Sequence, residues 1–269
     1  MLAPKDEADA LATVDVDTYI NQANHWSTTK PQKRGRCFSA KSQEGGTCYA
    51  NATAAVLHLA MTRITGRVGG YPDFFEIREK LVAKYGKDGA STLSVVKEVC
   101  PQYRLQCEQV DEEGAKAAVA AMRPVIATFH LTDQEWDLFS EFYKDNPEGI
   151  LTRSVIDIRE RPPGAELSGH AVVMSRCSSE RLRLMNSWGR GWGDQGFFRI
   201  QNADVLGLKF VDVFWTLDDL RQEEKDAYTK YGSAACPKIC VTECIALRAP
   251  RVTRHAPFET KFCTFSPQK

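Results

Sequence analysis

The sequence lacks an excess of charge of either sign and any long apolar run. Its 269 residues contain 35 Lys and Arg against 35 Asp and Glu. This balance indicates neither nucleic acid nor a charged membrane surface as a partner. No stretch approaches the roughly 18 apolar residues of a membrane-spanning helix, and charges interrupt the N-terminus where a signal peptide would be apolar. We therefore expect a soluble chain without membrane contact, in the cytoplasm.

Cysteines at paired spacings are also lacking. The nine cysteines are an odd number and do not form a disulfide framework, which favours a reducing compartment. Cys236, Cys240 and Cys244 recur every four residues and could bind zinc together with Cys263, but this spacing is not typical of zinc sites. Free thiols or a local disulfide are favoured, and neither a metal nor a cofactor is predicted.

Helical patterns dominate the first 120 residues. The segments "ATAAVLHLAMTRITG" and "PDFFEIREKLVAKYG" have apolar residues at helical spacing and end in glycine. From Arg123 onwards, short β-branched or aromatic runs such as "RPVIATFHL" and "GHAVVMSRC" are typical of antiparallel strands. The fold class is therefore α+β, with a cleft between a helical lobe at about 43–120 and a sheet lobe at about 121–219. A lead-in (1–34) precedes this unit, and an extension (220–269), which starts with a charged helix, follows it.

Cys48 lies at the start of the first helical segment, within "GGTCYANATAAVLHLA". A helix N-terminus and an adjacent imidazolium can lower the pKa of a thiol by several units, which makes it a nucleophile. Thr47 is a candidate N-cap, and Gly45 and Gly46 allow backbone N–H groups to face a developing oxyanion.

An imidazole partner for Cys48 is the second requirement, and His170 is the best of the five histidines. It opens the strand "GHAVVM" after the small Gly169. By contrast, His58 lies roughly 15 Å along the helix that Cys48 starts. Asn186 follows His170 by sixteen residues, as in a hairpin return, and could fix the tautomer and orientation of the ring. Trp188 could keep water away from this hydrogen bond.

These segments resemble the papain-like cysteine peptidases. "QEGGTCYA" resembles the segment around their nucleophile, "SGHAVVM" their histidine strand, and "MNSWGRGWGDQGFFRI" their asparagine block. The resemblance covers roughly residues 35–215. It implies a two-lobe fold, with a helical N-terminal lobe and a β-barrel-like antiparallel C-terminal lobe, and a catalytic domain at 35–219. It also implies an endopeptidase that acts on peptide or protein substrates and that an inhibitor protein could bind.

The resemblance implies a role for each matching residue. Cys48 would be the nucleophile, His170 the base and acid, Asn186 the orienting residue, and Trp188 their shield. Gln43 would donate to the oxyanion. The implied substrate-binding residues are Gly69, Gly70, Tyr71, Gly169 and Trp192.

Two residues depart from the family pattern. The interval between Gln43 and Cys48 is one residue short, and Gly45 stands where the family has a disulfide-forming cysteine. The short interval leaves open a binding module that retains the cleft without turnover. The charged N-terminus, too short for the pro-segment usual in this family, leaves open an isopeptidase that removes ubiquitin-like proteins.

Overall fold

A computed structural model describes residues 39–64, 66–121 and 123–231. These residues form six α-helices and seven β-strands, so the predicted α+β class is confirmed. The helices are α1 (Cys48–Thr62), α2 (Phe74–Tyr85), α3 (Thr92–Val99), α4 (Glu112–Ala120), α5 (Asp133–Asp145) and α6 (Gln222–Tyr231). The strands are β1 (Gln106–Val110), β2 (Val125–Leu131), β3 (Ile150–Leu151), β4 (Ser168–Cys177), β5 (Leu182–Met185), β6 (Phe197–Ile200) and β7 (Lys209–Phe214).

The strands form one sheet in the order β1-β7-β2-β4-β5-β6-β3. All neighbouring strands are antiparallel except β3 and β6, which are parallel. The barrel-like closure expected for this lobe is not found within the described residues, where the sheet stays open between β1 and β3. Closure requires the two edge strands to pair with each other. The two-residue β3 pairs with β6, and β1 pairs with β7.

Helix α1 is buried along almost its whole length, from Tyr49 to Met61. It packs against α2 on one side and against β4 on the other. Burial on all sides is possible because α1 is rich in alanine, whose small side chain allows neighbouring elements to approach closely. The Tyr49 hydroxyl donates to the Gly86 carbonyl oxygen (2.7 Å) and ties the start of α1 to the end of α2. Cys48 is thereby held at a fixed position beside the sheet.

Two helices begin with complete capping boxes. The Asp73 carboxylate accepts from the backbone N–H of Glu76, whose side chain accepts from the backbone N–H of Asp73, at the start of α2. Thr132 and Glu135 form the same arrangement at the start of α5. Capping boxes satisfy two backbone N–H groups that lack partners within the helix.

The sequence patterns predicted α2, but not α5 or the strands β1 and β7.

The carboxylate of Glu224 anchors α6 to the rest of the fold. It is fully buried, and both of its oxygens accept from the Arg104 guanidinium (2.5 and 2.7 Å). The backbone N–H groups of Val68 and Arg221 also donate to it, each at 2.8 Å. Burial raises the pKa of Glu224, but these four hydrogen bonds outweigh burial and bring the pKa down to about 2.

No helix in the described part of the chain is long and apolar enough to cross a lipid bilayer.

Candidate active site

Cys48 is half-buried at the first residue of α1. The loop before it packs closely on the loop after α2, since a Cβ at Gly46 would lie 2.7 Å from the backbone nitrogen of Gly89. The predicted Thr47 cap is wrong, because no side-chain hydrogen bond caps α1 within the described residues. The Thr47 hydroxyl instead bonds within the loop, where it donates to the Glu44 carbonyl oxygen (2.9 Å). The backbone N–H groups at the start of α1 are therefore open to the thiol.

The Cys48 sulfur lies beside the strand that carries His170. The backbone N–H of Ala171, the residue after His170, lies near this sulfur and lowers its pKa, as do the N–H groups of Cys48 and Tyr49. The packing of α1 on β4 produces this proximity. The structure thus brings the first residue of α1 to the start of β4 across 122 residues of sequence.

His170 and Asn186 form a buried hydrogen-bonded pair. His170 Nε2 lies 2.7 Å from Asn186 Oδ1, and the side chains of the two residues are 6% and 2% exposed. The antiparallel pairing of β4 with β5 explains this contact, because His170 lies near the start of β4 and Asn186 directly follows β5.

The hydrogen bonds around Asn186 determine the tautomer of His170. The Ser187 backbone N–H donates to Asn186 Oδ1 (2.8 Å), which identifies this atom as the amide oxygen. An amide oxygen only accepts, so His170 Nε2 carries the hydrogen that it donates. In the neutral ring, Nδ1 is then the nitrogen with a free electron pair. This tautomer suits a general base that takes a proton through Nδ1.

Aromatic rings surround His170. The ring centroid of Trp188 is 5.1 Å from that of His170, and the rings of Phe129 and Trp136 are each 5.7 Å away. Phe129 is the cross-strand neighbour of His170 on β2. Trp188 thus lies where a shield was predicted. Trp192 is one ring further from His170, since it contacts Trp188 (5.0 Å between centroids).

Sequence patterns missed Trp136. It lies on α5, and its indole N–H donates to Ser168 at the start of β4 (2.5 Å). The capping box at Thr132 and Glu135, followed by aromatic residues at helical spacing, was the signal that could have revealed it. That spacing includes Trp136, Phe139 and Tyr143.

Gln43 connects the loop before Cys48 to the asparagine segment. Its amide oxygen accepts from the Ser187 hydroxyl (2.6 Å), and its backbone N–H donates to the Ser187 carbonyl oxygen (2.7 Å). Its amide nitrogen donates to the Gly45 carbonyl oxygen (2.7 Å). One of its two amide hydrogens is therefore engaged within the loop, and only the other could serve an oxyanion.

Burial favours the uncharged forms of Cys48 and His170. It raises the pKa of Cys48, although the three backbone N–H groups near the sulfur oppose this effect. Burial also lowers the pKa of His170 to about 4, although the hydrogen bond to Asn186 raises it. An isolated thiolate or imidazolium is thus unfavourable here. Burial therefore opposes the predicted thiolate and favours the neutral thiol and the neutral ring.

The structure does not bring Gly69, Gly70 and Tyr71 next to Cys48. The Tyr71 ring packs on His58, with 5.6 Å between centroids. His58 lies ten residues beyond Cys48 on α1, or about 15 Å at the helical rise. The turn follows α1 after a short connection, so it stays near the C-terminal end of that helix.

Gly169 is exposed at the start of β4, next to His170. A Cβ at this position would lie 3.0 Å from Nε2 of His130, the cross-strand neighbour on β2. Glycine therefore allows the exposed His130 ring to lie over the backbone beside His170.

Two further features concern possible metals and thiols. Within the described ranges, no group of three or more His, Cys, Asp or Glu side chains could hold a metal ion. Cys100 and Cys107 are free thiols whose side chains are hydrogen-bonded to each other. Cys236, Cys240, Cys244 and Cys263 lie outside the described residues.

No family model matches the chain. Among solved structures it is similar to Xylellain, a cysteine protease from Xylella fastidiosa, at 17% identity and a TM-score of 0.46, covering 80% of this chain and 91% of that one. It is also similar to a Carica candamarcensis cysteine protease in complex with E-64, at 18% identity and a TM-score of 0.45, covering 66% and 93%. A third is the bromelain protease of Ananas comosus with the same inhibitor, at 16% identity and a TM-score of 0.41, covering 75% and 98%.

Proposed function

We propose that this chain is a papain-like cysteine peptidase that hydrolyses peptide bonds, with residues 35–219 as its catalytic unit. The observation that carries the proposal is the buried His170 and Asn186 pair, held in one tautomer on the strand whose Ala171 N–H lies near the half-buried thiol of Cys48. A nucleophile, a base and a residue that orients the base are the three parts that covalent hydrolysis by a thiol requires. The resemblance of the sequence to this family supports the same assignment.

In the proposed mechanism, Cys48 transfers its proton to His170 Nδ1 as the sulfur attacks the carbonyl carbon of the substrate. The N–H groups of Cys48 and Ala171 lie near the sulfur and are available to stabilise negative charge. His170 then donates its proton to the departing amine, which leaves an acyl group on Cys48 as a thioester. Water, deprotonated by His170, hydrolyses the thioester and restores the thiol.

Two features support the role of Asn186 and Trp188 in this mechanism. The Asn186 oxygen stabilises a positively charged His170, because the hydrogen bond to Nε2 is stronger when the ring is charged. The rings of Trp188 and Trp136 exclude water from this hydrogen bond. Low local polarity strengthens the attraction between thiolate and imidazolium once both have formed.

A second candidate function is a peptide- or protein-binding module that has the same site but does not hydrolyse what it binds. It is favoured by the engagement of the Gln43 amide with Gly45, which leaves one fewer donor for an oxyanion. The raised pKa of Cys48 also favours it.

Labelling with an epoxide or vinyl-sulfone probe separates the two candidates. We expect the probe to modify Cys48 in the folded protein, as located by mass spectrometry of peptides, and the Cys48→Ala variant to lose both labelling at that peptide and cleavage of fluorogenic peptides. Cys107→Ala serves as the matched control, since it removes another half-buried thiol and should leave cleavage unchanged. Absence of labelling at Cys48 in the folded protein would favour the binding module.

A further inference from the structure

The buried side-chain amides of Asn51 and of the candidate catalytic residue Asn186 each have an unpartnered polar atom within the part of the chain that the structure describes. These atoms are the Asn51 oxygen Oδ1 and the Asn186 nitrogen Nδ2. Asn51 is 5% exposed and Asn186 is 2% exposed. Buried polar atoms in folded proteins are nearly always hydrogen-bonded, either to protein or to ordered water. One of these atoms accepts hydrogen bonds and the other donates them.

The orientation of the Asn51 amide is determined by its neighbours. Its nitrogen donates to the Thr47 carbonyl oxygen (2.9 Å), which can only accept. The amide oxygen must therefore point away from Thr47. Asn186 is oriented in the same way, because its oxygen already accepts from His170 and from the Ser187 N–H. Its nitrogen is thus directed away from His170.

Asn51 and Asn186 line the same small pocket between α1, β4 and the residues that follow β5. Its polar lining also includes Ser39, Lys41 and Ser187. About 20 Å³ of this pocket can hold the centre of a water molecule, which is enough for one water. An ordered water needs two to four polar partners, and the pocket provides an acceptor and a donor.

We propose that one ordered water molecule bridges Asn51 Oδ1 and Asn186 Nδ2, and that Asn51 is thereby a positioning residue for Asn186. The water donates to Asn51 and accepts from Asn186. The bridge completes a ring of contacts from Asn186 through Asn51 and Thr47 to the loop before Cys48, which returns through Gln43 to Ser187. The effect on turnover rests on the proposed peptidase function, whereas the water site does not.

The bridge acts on His170 by restricting rotation of the Asn186 amide. With both ends of the amide held, its oxygen stays directed at His170 Nε2 and the ring keeps its hydrogen on that nitrogen. Without the bridge, only the oxygen is held. The imidazolium that must accompany the Cys48 thiolate is then less well stabilised, and alkylation of Cys48 below neutral pH becomes slower.

The test uses Asn51→Leu, which removes the acceptor with little change in volume, and Thr53→Val as the matched control. Thr53 is also fully buried on α1 with an unpartnered hydroxyl, but it does not line the pocket. We expect the rate of iodoacetamide alkylation of Cys48 below pH 7 to fall about two- to tenfold in Asn51→Leu, the range for one lost hydrogen bond. Thr53→Val should stay within about twofold of the unmodified protein. Equal losses in both variants would refute the positioning role.

A high-resolution crystal structure of the unmodified protein tests the water directly. We expect one water molecule at about 2.7–3.2 Å from both Asn51 Oδ1 and Asn186 Nδ2. A direct contact between the two side chains, or no ordered water, would overturn the proposal. Alkylation of Cys48 requires no peptide turnover, so the water bridge and the proposed peptidase function can be refuted separately. A chain that cleaves no peptide but shows slower alkylation in Asn51→Leu would refute the peptidase and retain the water bridge.

Discussion

Burial of His170 makes the free energy of unfolding depend on pH. The substitution His170→Gln separates this contribution from those of other titrating groups. The pKa of His170 is lowered by burial from 6.5 to about 4. Above about pH 6.5, the ring is neutral in both the folded and the unfolded chain. Between pH 6.5 and 4, the unfolded chain binds a proton that the folded chain does not, so the free energy of unfolding falls as the pH falls. At about 1.4 kcal/mol for each pKa unit, the full loss is about 3 kcal/mol.

Urea unfolding at pH 7 and pH 4, for the unmodified protein and His170→Gln, measures this loss. Glutamine does not titrate, so the variant lacks the His170 contribution. Buried carboxylates such as Glu135 and Glu224 titrate in both proteins, and their effects cancel in the difference between the two. We expect the free energy of unfolding of the unmodified protein to fall by about 3 kcal/mol more than that of the variant. A difference that does not change with pH, or an NMR titration of His170 with a pKa above 6, would refute the reasoning.

Two further predictions concern groups outside the candidate site. Glu224→Gln should lower the free energy of unfolding by about 3 kcal/mol in urea titrations, because Arg104 loses its buried partner. Glu98→Gln, at an exposed ion pair, should lower it far less, because solvent screens that pair, and equal losses would contradict the role of burial. A hydrogen bond from Cys100 lowers the pKa of Cys107 to about 7. Peptide mapping after brief iodoacetamide treatment at pH 7 should therefore find Cys107 modified before Cys100. Modification of Cys100 first would contradict this prediction.

The electrostatics of the site affect how a peptidase of this kind would be tuned. Burial disfavours a lone charge on Cys48 and on His170. The same burial strengthens the attraction between two opposite charges that form together. The resting site therefore favours the neutral pair, unless a substrate or bound water stabilises the ion pair. Residues that stabilise the imidazolium, such as Asn186 and in our proposal Asn51, are then the ones that most affect reactivity.

Local sequence patterns were sufficient to predict much of the framework. Apolar residues at helical spacing predicted α1 and α2, because burying one face of a helix requires that spacing. The change to short β-branched runs after Arg123 predicted β2, β4, β5 and β6. The motifs also drew attention to Cys48, His170 and Asn186. Such motifs can be recognised in a sequence because a catalytic mechanism requires particular residue types, and these occur in a fixed order along the chain.

Other features depend on contacts between distant segments, which no local pattern contains. The strand β7 pairs with β1 and β2 through residues 81 to 108 positions apart, so its place in the sheet was not predictable. The turn at Gly69 and Gly70 resembles a substrate-binding motif, yet the adjacent Tyr71 packs on His58, ten residues beyond Cys48 on α1. The capping role assigned to Thr47 was wrong because the loop provides the threonine hydroxyl with nearer partners.

The sequence by itself determined the residue types of the candidate site and the α+β class, because both follow from the order and spacing of side chains. Only the tertiary structure decided that His170 donates from Nε2, that Trp136 encloses its ring, and that Asn51 and Asn186 face one pocket. Each of these depends on the direction in which a side chain points across a packed interface. That direction results from packing α1 and α5 against the sheet, which brings together residues that are far apart in sequence.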